Sequence, residues 1–146
     1  MTVQTKITLF NRRLGADRRE VYFPTSIDSA SFMESRSSSQ STDGTHSQSP
    51  SFKLRIPVSA VIQDSKTYIA EDAYRALSDA EAAKCWTIQT GDVLLLEDAA
   101  LTDPIDQTAL DALVKSTKAT LISVTEYADN TVRGSAAVQH WRIGGE

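Results

Sequence analysis

The stretch from Glu34 to Ser51, ESRSSSQSTDGTHSQSPS, limits what this chain can fold into more than any other. Eight of its eighteen residues are serine, and Pro50 is its one apolar side chain. A segment of that kind buries too little apolar surface to offset the entropy of ordering it. It lies between two strand candidates, Ala30–Met33 and Phe52–Ile56. The sequence therefore predicts a long solvated loop, residues 34–51, joining two strands of one sheet. Structureless loops longer than roughly a dozen residues are uncommon inside a domain and are usually functional or disordered.

On either side of it the apolar pattern is that of strands. Val3, Thr5, Ile7 and Leu9 alternate with Gln4, Lys6 and Thr8, as in a half-buried strand. Glu20–Ile27 (EVYFPTSI) reads as a second strand, and Pro24 makes it an edge strand or kinks it. Together they form a hairpin whose tip carries Arg12, Arg13, Arg18 and Arg19. Phe52–Val58 leaves the serine loop, with Pro57 at its end or on an edge.

Further along, Thr67–Ile69 is a short strand candidate. Ala70–Leu77 has two turns of helical pattern, and Ser78 to Glu81 is a capping-box sequence for a helix over 79–84. Trp86–Gln89 and Val93–Leu96 read as strands joined at Thr90-Gly91-Asp92, where Gly91 suits a positive φ. Asp103 and Pro104 open the one long helix, with Ile105, Ala109, Leu110, Leu113 and Val114 as its apolar stripe. Ala119–Tyr127 and Ala136–Ile143 are the closing strands. The pattern predicts a mainly β fold: one domain over 1–146, a small barrel or sandwich of about eight strands, with one packed helix and a long inserted loop.

Composition removes several function classes. The formal charge of −4 argues against a broad grip on nucleic-acid phosphates. Cys85 is the lone cysteine, so neither an internal disulfide nor a multi-cysteine zinc site can form. No apolar run is long enough to span a bilayer, so no membrane role is expected. Residues 1–20 lack the apolar core of a signal peptide, which predicts synthesis in a reducing cytoplasm.

No catalytic or metal-binding constellation emerges. His46 and His140 have no partners at ligand spacing, and Cys85 beside Trp86 reads as a small buried apolar residue. There is no Gly-x-Ser-x-Gly elbow and no phosphate-cradling glycine loop. The acidic pairs Glu71-Asp72 and Glu97-Asp98 are adjacent, so their side chains diverge. The expectation is no enzyme, no catalytic residue, no metal and no cofactor. Tyr68, Tyr74 and Trp86 read as core. The four arginines read either as a soluble hairpin tip or as docking contacts for an acidic protein surface.

Five short stretches then carry a resemblance: TKITLFNR at 5–12, YFPT at 22–25, RIP at 55–57, WTIQTGD at 86–92 and QHWRI at 139–143. Their layout, nearly end to end, resembles small proteins of the head–tail morphogenesis module of tailed bacteriophages and prophages. Among these the chain is most like the head-closure, or stopper, proteins. The resemblance implies a virion protein of the neck, made in the host cytoplasm. It implies a hexameric ring of identical copies, stacked between a portal-side adaptor ring and a tail-side ring. One loop per copy would project into a channel holding double-stranded DNA, with no sequence-specific contact. The gating loop expected by position is Arg36, Ser37, Ser38, Ser39, Gln40, Ser41, Thr42, Asp43, Gly44, Thr45, His46 and Ser47. A tail-completion or tail-terminator ring protein and a monomeric β-barrel binding module are the alternatives.

Overall fold

The structure is a computed structural model. It describes the backbone of residues 3–14, 19–40, 46–99, 101, 103–117, 120–131 and 139–146, and the side chains of the same residues except 3, 4, 34–40 and 46–50. Three strands come first: β1 (Val3–Leu14), β2 (Glu20–Gln40) and β3 (His46–Pro57). Next are β4 (Thr67–Tyr68), α1 (Glu71–Arg75), α2 (Asp79–Ala82), β5 (Cys85–Trp86) and β6 (Val93–Leu95). The chain ends with β7 (Ile105–Asp106), α3 (Gln107–Ser116), β8 (Leu121–Asn130) and β9 (His140–Gly145).

Six strands, in the order β1-β6-β8-β9-β3-β2, close on themselves because β1 also pairs with β2. Every pairing in this barrel is antiparallel. The expected mainly β fold with one packed helix is what the chain forms. β7 adds to β2, and β4 pairs with β5 in a separate two-stranded parallel sheet.

The sequence reads Glu20–Ile27 and Ala30–Met33 as separate strands, but β2 is continuous through both. Between Thr5↔Ala30 and Ile7↔Ile27 the β1–β2 register shifts, so Asp28 and Ser29 face the single residue Lys6. This bulge lets one strand turn a barrel corner, its first half pairing with β1 and its second with β3. The segment after β3 fastens onto it: Val61 N donates to Asp28 Oδ1 at 2.8 Å and Asp28 N to Val61 O at 3.1 Å.

The barrel interior is filled by Ile7, Leu9, Ile27, Leu54, Ile56, Trp86, Ile88, Leu94, Ile122 and Ile143. Tyr68, Trp86 and Trp141 close one region of it, with ring centroids 4.9–5.0 Å apart. The alternation expected in β1 gives way to burial on both faces from Ile7 to Asn11. The reason is an outer layer: α3 lays Leu110 against Phe10, Tyr22 and Leu95. Helix α3 begins at Gln107, later than Asp103-Pro104 suggests, because Ile105 and Asp106 first pair with Tyr22 and Val21. Asp106 then caps the helix, accepting from Ala109 N at 2.8 Å.

Candidate functional site

The serine-rich segment is not the structureless loop its composition predicts. β2–β3 pairing continues through it, from Glu34↔Phe52 to Gln40↔His46. Backbone N–H and C=O groups form a ladder whatever side chains they carry, and extending a pairing already set at Ser31↔Arg55 needs little further loop closure. Composition sees only the missing apolar area.

The barrel stops short of this ladder. β1 last pairs with β2 at Phe32, and β9 reaches β3 no further than Phe52. Among the described residues, the arms from Ser35↔Ser51 outward pair only with each other. They make a two-stranded ribbon of about 20 Å at roughly 3.3 Å per residue. Of the expected gating residues, Arg36, Ser37, Ser38, Ser39 and Gln40 lie on its β2 arm, and His46 and Ser47 on its β3 arm. Ser41, Thr42, Asp43, Gly44 and Thr45 lie outside the described residues.

The four arginines separate into different roles. Arg18 lies outside the described residues, and Arg19 is exposed just before β2. Arg13 is not free to dock on a partner. It donates from Nη1 to Tyr74 O at 2.6 Å and from Nη2 to Leu77 O at 2.5 Å, with Nε 3.4 Å from Asp79 Oδ1. Its guanidinium also lies 4.9 Å from the Tyr74 ring centroid. The fork thus satisfies carbonyls at the end of α1 and ties both short helices to the barrel. Arg13→Met is expected to cost about 2–3 kcal/mol in urea unfolding, and Arg13→Lys less, since an ammonium reaches one carbonyl but not the pair.

Arg12 is placed differently. Its backbone N–H serves Asp92, while its side chain extends over Gly91, whose φ of 94° has the positive sign expected. The guanidinium lies 3.5 Å from Glu20, with both side chains nearly half exposed. Arg12, Glu20, Arg75, Gln89 and Thr90 border a cavity of about 380 Å³ with Asp92 at its base.

Asp92 is the residue whose role the sequence does not reveal. Oδ1 accepts from Arg12 N at 3.0 Å and Gln89 Nε2 at 3.1 Å; Oδ2 accepts from Asn11 Nδ2 at 2.8 Å and Gln89 N at 3.2 Å. Asn11 also holds the backbone of Thr87, donating to its O at 2.7 Å and accepting from its N at 3.2 Å. The Asn11 side-chain amide here takes the place of a ladder partner at Thr87, for the expected strand over 86–89 ends at Trp86. Burial pushes the Asp92 carboxyl up to about 6, against the hydrogen bonds from Arg12, Asn11 and Gln89. With donors on both oxygens, this carboxylate fastens a turn to a strand. From Gln89 the network runs outward through Arg75 and Glu71 to Tyr127.

Among the described residues, no three His, Cys, Asp or Glu side chains gather as a metal site, and no helix is long and apolar enough to cross a membrane. His140 Nε2 lies 3.3 Å from Asn130 Nδ2 on the outer surface.

Over residues 1–146 the chain matches DUF6751, a family of unknown function. The chain belongs to that family. No curated protein and no solved structure matches it. What this DUF6751 member presents is thus a ribbon standing off a closed barrel and an arginine-bordered cavity above a buried carboxylate. Asn11 and Asp92 are 81 positions apart, and neither Phe10-Asn11-Arg12 nor Gly91-Asp92-Val93 carries a local signal of the link between them.

Proposed function

We propose that this DUF6751 protein is a non-enzymatic structural component of a tailed-bacteriophage neck. In this reading it forms a ring between the portal-side adaptor and the tail-side proteins. Its hairpins converge on the axis and retain packaged double-stranded DNA without reading its sequence. The observation that carries the reading is the ribbon beyond Ser35↔Ser51, whose arms pair with no third strand among the described residues and which has no apolar stripe in its sequence. A lone two-stranded ribbon is marginal in water, and its free edges invite pairing with other strands. A closed ring supplies identical ribbons around one axis, where each edge meets a neighbour.

Serine and glutamine suit a gate that must hold DNA and later release it. They offer hydrogen bonds but little charge: Arg36 is the single arginine or lysine in the stretch 34–51. The barrel below provides a rigid collar, and Arg19, Arg12 and the cavity that Arg12 borders are the reading's contacts with adjoining ring proteins.

Deleting residues 36–48 is the direct test. The barrel is expected to fold and enter particles, while filled heads lose their DNA, scored by nuclease-accessible DNA in purified particles. Heads that stay sealed with the shortened chain in place would overturn the reading.

A further inference from the structure

The outer face of β3 and β9 collects cations. Phe52, Leu54 and Ile56 point into the core, so Lys53 and Arg55 face outward. Arg55 sits directly opposite Arg142 of β9, and Lys53 opposite Met33 of β2 and Gly144 of β9. Like charges directly opposite each other are destabilising. Among the described residues none of the three forms an ion pair or side-chain hydrogen bond. Glu126 of β8, the nearby carboxylate, lies across Gly144 instead. The three cations, Phe32 and the exposed Met33 border a shallow cavity of about 380 Å³.

The far side of the barrel has the opposite sign. In the closed six-strand order, β6 is three strands from β3 and β1 three strands from β9, whichever way round one counts. Outside β1, β6 and the β1-paired first half of β2 lies the segment that runs into α3, with Glu97, Asp98, Asp103, Asp106 and Asp111 all exposed. Lys115 is the one cation between residues 97 and 116.

We infer that these two faces are the halves of one interface between copies of this chain. Lys53, Arg55 and Arg142 of one copy seat against the acidic 97–111 side of the next, with Met33 as the apolar contact among them. A face on one side meeting a different face on the other is a heterologous contact, the kind that builds rings. The carboxylates relieve the repulsion between Arg55 and Arg142, and a chain of net charge −4 uses this cluster of cations to set subunit order. The inference deepens the ring reading and rests on it for its setting, but it can fail separately.

Self-association of the purified full-length chain, followed by sedimentation and by amide NMR shifts up to millimolar concentration, tests it. Shifts on β3, β9 and 97–111 should move together as concentration rises and revert at high salt. The double reversal Arg55→Glu with Arg142→Glu should weaken association about tenfold, and adding Asp103→Arg with Asp111→Arg should restore it. A chain that stays monomeric throughout, or reversals that leave association unchanged, would overturn the interface. So would reversals that abolish binding of a DNA duplex without affecting association, which would assign the face to phosphates. Restored association by a chain that never enters particles would keep the interface and overturn the neck reading instead.

Discussion

Asp92→Ala is expected to lower the unfolding free energy by about 3–5 kcal/mol, measured by urea denaturation at pH 7. The change deletes the acceptor for Arg12 N, Gln89 N, Asn11 Nδ2 and Gln89 Nε2 at once. Asn11 and Asp92 are almost wholly buried, so water cannot readily replace the lost acceptor. The loss should also spread. The backbone of Asp92 bonds to β8, with Val124 N donating to Asp92 O at 2.8 Å and Gly91 N to Val124 O at 2.9 Å. Freeing the turn loosens the β6–β8 seam, so amide exchange should quicken at Gly91 and Val124 before the remote β3–β9 pairs.

The same carboxyl sets a pH dependence with a definite sign. Burial raises it from the usual 3.8 to about 6. Between those values the folded chain keeps a proton that the unfolded chain has released. Its contribution is therefore fully present below the unfolded value and lost as the pH rises through about 6. The stability gap between the native chain and Asp92→Ala should accordingly be wider at pH 4 than at pH 7.5. An equal gap at both would mean the carboxyl titrates normally in the folded state.

The legible parts of this fold are those where side-chain pattern and backbone pairing say the same thing. Phe52-Lys-Leu-Arg-Ile56 alternates in sequence and in burial, and Ala119–Tyr127 overlaps β8. Ser78 caps α2 as its spacing suggests, accepting from Glu81 N at 3.3 Å. Reading failed where they diverge. The serine arms pair through their backbones, and nothing in their sequence pattern announces a ladder. Asp103-Pro104 has good helix-start chemistry, yet the next two residues join β2 and delay the helix. Trp86–Gln89 looks like a strand, but past Trp86 the amide of Asn11, far away in sequence, occupies the bonding groups of Thr87. Adjacent arginines on one strand, 12 and 13, differ because successive side chains leave opposite faces: Arg13 reaches the carbonyls at the end of α1, and Arg12 reaches Glu20.

The second large effect is expected at Gly145. A Cβ built there falls within 2.5 Å of Ile122 Cγ2 and closer still to the carbonyl oxygen of Ser123. That carbonyl cannot retreat cheaply. It accepts from Glu146 N at 3.1 Å, while Ser123 N donates to Glu146 O at 2.9 Å and Ser123 itself pairs with Val93 of β6. Gly145→Val must therefore push β9 off β8, at a cost of about 3 kcal/mol or more in thermal or urea unfolding. Gly144→Ala is the control. Its added methyl meets only the Glu126 side chain, which can swing into solvent, so the loss should stay within about 1 kcal/mol. Equal losses at the two positions would mean the seam is softer than its geometry implies. The position also matters for the ribbon, since Gly145 pairs with Phe52, and Phe52 with Glu34. This is the last rung at which a third strand supports the hairpin. Forcing β9 away there should release the root of the ribbon as well as open the barrel, so under the neck function proposed above even a folded Gly145→Val chain is expected to leak DNA from particles where Gly144→Ala does not.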